Sequence, residues 1–90
     1  MPYELEFNAK FKDQLKALAN ERQEAVRKKL EQIVEMPGHF EFVHRSDKVQ
    51  KARVGKYRIF FRVTGNLVEI LEVRKRDVAY KEPLLHFLAP

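Results

Sequence analysis

Roughly halfway along the chain the spacing of the apolar residues changes period, and this change restricts the fold more than any other feature. Before Pro37-Gly38 the spacing is helical. Phe11, Leu15 and Leu18 fall at i, i+4 and i+7, and Val26, Leu30, Ile33 and Val34 form a second stripe. After Asp47 the period is two. Tyr57, Ile59, Phe61 and Val63 alternate with Arg58, Phe60 and Arg62. A helical part followed by a sheet part reads as α+β, with the helices on one face of an antiparallel sheet.

The boundaries follow from local chemistry. Tyr3, Leu5 and Phe7 alternate with Glu4 and Glu6, the pattern of a half-buried first strand. Asn8 is a candidate N-cap for the first helix. Asn20 is a second one, with Gln23 in the capping-box position. Pro37-Gly38 ends the second helix. The two helices form a hairpin. Residues 39–47 have no clear period and read as a loop. Residues 48–54, 57–64 and 67–73 read as a three-stranded meander, turning at Gly55-Lys56 and Gly65-Asn66. Residues 67–73 are apolar on both faces, so this strand is expected to be central. The order is β-α-α-β-β-β, with a short C-terminal tail or helix around Pro83, Leu84, Leu85, Phe87 and Leu88. The first strand must pair somewhere in this sheet, and the sequence does not fix where: a place beside the last strand would avoid a crossing connection, and parallel pairing is also open. Residues 1–90 are expected to form a single domain.

Charge narrows the function. The net charge is +5, unevenly spread. Residues 45–81 hold eleven Lys/Arg against four Asp/Glu, and the remainder holds seven against nine. A basic second half points to a polyanion, although a solvated basic surface gives the same count. No cysteine is present, which removes disulfides and thiolate metal sites. No apolar run is long enough for a bilayer. Met1-Pro2-Tyr3-Glu4 lacks the features of a secretory signal, so a cytoplasmic location is expected, with no membrane partner.

Strand alternation sorts the cations. If Tyr57, Ile59, Phe61 and Val63 face the helices, Arg58, Phe60 and Arg62 face away. Ala52 and Val54 are the apolar pair of the preceding strand, so Lys51 and Arg53 face away too. Arg74, Lys75 and Arg76 close the last strand. An open sheet face of cations around one aromatic ring suits single-stranded nucleic acid, with phosphates on the charges and a base on Phe60. Lys48, Phe60, Arg62, Arg74 and Lys75 are the expected RNA-binding residues. A merely solvated sheet face remains the alternative reading.

Other chemistries have little support. His39, His44 and His86 match no metal spacing. Ser46 is the only serine, and no nucleophile elbow surrounds it. Glu69 and Glu72 are expected on opposite strand faces and hence not as a carboxylate pair. No cofactor is expected.

Lys51-Ala52-Arg53-Val54-Gly55-Lys56-Tyr57-Arg58-Ile59-Phe60-Phe61 and Arg74-Lys75-Arg76-Asp77-Val78-Ala79-Tyr80 carry a resemblance over nearly the whole chain. The chain resembles the RelE branch of the RelE/ParE toxin superfamily of toxin–antitoxin pairs. The first stretch is similar to that branch's basic-x-basic strand and the G-x-Y-R strand after it. The second is similar to its closing basic segment ending in tyrosine. The second basic position is usually lysine and is Arg53 here, and the gap from Arg76 to Tyr80 is shorter than in the best-known members. The gyrase-poisoning ParE branch shares the fold but usually lacks the full set.

The resemblance implies a RelE-like toxin domain that cleaves mRNA, typically in the ribosomal A site, and is silenced by a cognate antitoxin. It touches DNA only through the antitoxin complex. The implied catalytic set is Lys51, Arg53, Arg58, Arg76 and Tyr80. The ribose 2′-OH is then the nucleophile of a metal-independent reaction. Lys51 among its cationic neighbours, or Tyr80, is the candidate base. Arg53 and Arg58 hold the phosphate, and Arg76 neutralises the leaving oxygen.

Overall fold

The computed structural model describes residues 3–44 and 48–75. The first strand, β1 (Glu4–Phe7), leads into α1 (Ala9–Lys16) and α2 (Asn20–Glu35). A 3-10 turn at Pro37–His39 follows. Then come β2 (Phe42–His44), β3 (Val49–Val54), β4 (Tyr57–Thr64) and β5 (Leu67–Lys75). The five strands lie in the order β1-β5-β4-β3-β2. Each neighbouring pair is antiparallel except β1 and β5, which run parallel. No helix among the described residues is long and apolar enough to cross a membrane.

Each boundary has a local cause. The Asn8 side chain accepts a hydrogen bond from the Lys10 N–H at 2.9 Å and starts α1. The second cap falls one residue before the expected Asn20, at Ala19, and no side chain caps it. Gln23 instead turns back and donates to the Leu18 carbonyl at 2.9 Å. Pro37 disfavours helical backbone at Met36, whose φ is −144°, and α2 ends there. Both hairpin loops have two residues with glycine first, Gly55 at φ +56° and Gly65 at φ +61°. β2 is a strand within the segment expected to be loop. It is three residues long and irregular in register, too short for a period to show.

The helices cover one sheet face. Phe11 of α1 and Val26, Leu30 and Ile33 of α2 pack on Ala52, Ile59, Phe61, Val68, Ile70 and Val73. In β3 and β4 these are the positions that alternation assigns to the helices. The opposite face has its own small buried cluster, Val49, Phe60 and Leu71. With residues on both faces buried, β5 is central, as its composition implies. Its pairing with β4 shifts register at Phe60/Phe61, so that Leu71 is an extra residue. Beyond the bulge β5 reaches past the end of β1. There the Gln14 side chain of α1, in place of a strand, accepts from the Val73 N–H at 2.8 Å.

Candidate phosphate-binding site

Register brings three arginines into one row. Arg53 of β3 lies opposite Arg58 of β4, and Arg58 lies opposite Arg74 of β5. Adjacent strands are about 4.8 Å apart, so the three guanidinium stems run side by side on the face away from the helices. The next row is Lys51, Phe60 and Glu72, and the one after it Val49, Arg62 and Glu69. Lys51, Arg53 and Arg58 are therefore together, as expected. Arg74, expected only to flank the site, is a full member of the row.

The exposures correct one expectation. This face is not an open solvated surface, because Arg58 is 3% exposed, Arg74 5% and Phe60 3%. Phe60 is packed with Val49 and Leu71, so its ring is not presented as a platform for a base. The bulge adds Leu71 to this face beside Phe60. The β3 side of the expected cation surface does stay accessible: Arg53 is exposed and Lys51 partly so.

Arg58 is the unusual group. Its Nη1 donates to the carbonyl of its neighbour Tyr57 at 3.2 Å, while its Nε is buried and has no hydrogen-bond partner. The guanidinium is therefore buried with one of its donors unpartnered. Arg74 is balanced differently. Its Nε donates to Glu72 Oε1 at 2.6 Å, and the Gln14 side chain donates to the same oxygen at 3.2 Å. Lys10 Nζ lies 3.2 Å from it. Burial pushes the Glu72 carboxyl upward, but the hydrogen bonds from Arg74 and Gln14 and the charge of Arg74, with help from Lys10, outweigh it. The net shift is below the ordinary carboxylate value.

Glu72 and Glu69 were expected on opposite strand faces. They share one, because the bulge at Leu71 resets the alternation between them. Glu69 holds Arg62 at 3.2 Å. Sequence reasoning missed Glu72 as part of the site. The available signal was its i, i+2 spacing from Arg74 on one strand.

The remaining expected residues separate. Lys75 lies opposite Tyr57, whose ring packs on the helix side, so it is not in the row. Lys48, at φ +59°, lines a hollow of about 330 Å³ with Phe42, Gln50 and Val63. Arg76 and Tyr80 lie outside the described residues, as does the apolar tail. His39, set aside as a loop residue, lines a hollow of about 180 Å³ with Glu41, Lys51 and Arg53. Glu41 Oε2 stands 3.8 Å from Lys51 Nζ.

An N-terminal strand and a helical hairpin on a largely antiparallel sheet make up the architecture of small toxins of the RelE/ParE superfamily. The model of the family described as the ParE toxin of type II toxin–antitoxin systems, parDE, matches residues 5–80, and the chain belongs to that family. Solved structures agree in fold. The toxin–antitoxin complex RelBE2 of Mycobacterium tuberculosis matches at TM-score 0.75 and 25% identity, over 84% of this chain and 100% of that one. A double mutant of the E. coli toxin RelE in the free state matches at 0.78 and 21%, over 96% and 98%. The archaeal RelE–RelB complex of Pyrococcus horikoshii OT3 matches at 0.71 and 18%, over 84% and 97%. A comparison with curated protein sequences gives no match.

Proposed function

We propose that this toxin is a metal-independent endoribonuclease that cleaves mRNA, in the ribosomal A site, by attack of the ribose 2′-OH. One observation carries the reading: Arg58 is buried between Arg53 and Arg74 with its Nε unpartnered. An uncompensated buried cation costs several kcal/mol. Flanking it with two more arginines adds repulsion. The arrangement becomes favourable when an anion fills the fork, and a planar guanidinium matches a phosphate bidentately.

The chemistry follows from that placement. The 2′ oxygen attacks phosphorus and the bond to the 5′ oxygen breaks, leaving a 2′,3′-cyclic phosphate and a 5′-OH. Arg53 and Arg58 hold the two non-bridging oxygens as charge builds on the phosphorane. Lys51, or Tyr80, accepts the 2′-OH proton. Arg76 neutralises the departing 5′ oxygen, which takes its proton from solvent water. The cations take the part that a divalent ion plays in other nucleases. A site so poor in acid–base groups benefits from a second body to orient the RNA, and the ribosome is the proposed one. A cognate antitoxin is the proposed silencing partner, since the Mycobacterium tuberculosis and Pyrococcus structures are toxin–antitoxin complexes. The proposed location is the cytoplasm.

A second reading is favoured by the family match itself, which bears the ParE name. In that reading the chain binds DNA gyrase and cuts nothing. Inducing the protein and mapping mRNA ends separates the two. Codon-phased cuts within translated regions support the nuclease. Growth arrest with DNA damage and intact mRNA supports gyrase. Cleavage should persist in EDTA on the free RNA and stop when the cleaved ribose is 2′-deoxy; a deoxy substrate that is still cut rules the scheme out.

A further inference from the structure

Glu72 has no part in the reaction just described, yet it occupies an expensive position. It is 1% exposed, directly beside the arginine row, and its Oε1 is approached from two sides. From the sheet comes Arg74 Nε at 2.6 Å. From α1 come Lys10 Nζ and Gln14 Nε2, both at 3.2 Å. Lys10 and Gln14 are four residues apart, so they share a helix face. Gln14 is itself fixed, because its Oε1 accepts from the Val73 N–H at 2.8 Å. The contact therefore links the helical hairpin to the cationic face across the edge that β1 leaves uncovered.

We propose that Glu72 is a positioning residue for the phosphate site: held by Lys10 and Gln14, it fixes the guanidinium of Arg74 beside Arg58. The proposal rests on the nuclease reading and deepens it. A side chain as long as arginine loses much rotamer freedom when it is ordered. One bond at Nε sets the plane of the whole fork. The carboxylate also offsets one of three crowded positive charges, so the row is held together before a phosphate arrives. The rival reading is a buried ion pair that serves stability alone.

Single-turnover cleavage of a short mRNA, free and on programmed ribosomes, separates these readings. The proteins are wild type, Glu72→Gln, Arg74→Gln and the double variant, each checked by thermal melting. Misplacing a group by an ångström costs about 10²-fold, so Glu72→Gln should slow the cleavage step on that order with little change in half-saturation. In the Arg74→Gln background the same substitution should add nothing, since the two act as one unit. An undiminished rate for Glu72→Gln, or an equal further loss in the Arg74→Gln background, overturns the proposal. If Glu72→Gln does not fold, Gln14→Ala takes its place, with a loss of about fivefold, abolished in the Arg74→Gln background. The arginine Nε–H resonances give a readout without turnover. Loosening the clamp should move the signals of both Arg74 and Arg58, and an unmoved Arg58 signal sinks the positioning role. A wild-type protein that cuts no RNA and binds no 2′-deoxy oligonucleotide, yet shows both signals moving, overturns the nuclease reading and leaves the clamp standing.

Discussion

At the scale of single residues, the site conflicts with stability, and the conflict is measurable. Arg58 faces away from the helices, but facing away does not make it exposed. Arg58→Met keeps the length of the side chain and removes the buried charge. Replacing buried charges with apolar groups is often stabilising, so urea unfolding should show a gain of about 1–2 kcal/mol while RNA cleavage is lost. A destabilised Arg58→Met would mean that the charge is well compensated. Glu72 behaves oppositely. Its carboxyl is held below the ordinary value, so its stabilisation is complete above the unfolded carboxylate range and is lost as pH falls through the lowered folded value. Glu72→Gln should cost about 3 kcal/mol at pH 7 and less at pH 3. Equal costs at both pH values would assign the loss to packing instead.

At the scale of elements, regular segments were legible and interruptions were not. The two helices and the meander could be read because long stretches repeat one period. Their turns could be read because positive φ selects glycine. At Gly65 there is open space where a Cβ would stand, so backbone strain acts alone. Gly65→Ala should cost about 1 kcal/mol in a urea titration, and Gly65→Asn less. Equal stability of all three would show that the loop relaxes. β2 was missed because three irregular residues carry no period. The bulge at Leu71 was missed because an inserted residue in a strand with apolar residues on both faces does not stand out from the pattern. That single residue put Glu69 and Glu72 on one face and gave Phe60 a buried neighbour.

At the scale of the whole molecule, the charge is directed rather than diffuse. Among the described residues, Lys51, Arg53, Arg58, Arg62 and Arg74 share the sheet face away from the helices. Binding to a non-cleavable single-stranded oligonucleotide should therefore weaken linearly in log salt, with a slope of about −0.7 for each phosphate neutralised. Arg53 is the exposed end of the row. Arg53→Gln should flatten the slope by about 0.7 without altering unfolding by urea. An unchanged slope would place the RNA elsewhere on the surface.

The amino-acid order alone determined the α+β class, the helical hairpin, the meander, and which sheet face would carry Lys51, Arg53 and Arg58. All of these follow from periods of 3.6 and 2, which are local properties of the chain. Three things were left to the tertiary structure: the parallel pairing of β1 with β5, the burial of Arg58 and Phe60, and the clamp from α1 onto Glu72 and Arg74. Each joins segments distant in sequence, and burial depends on what lies across the sheet, which no local pattern records.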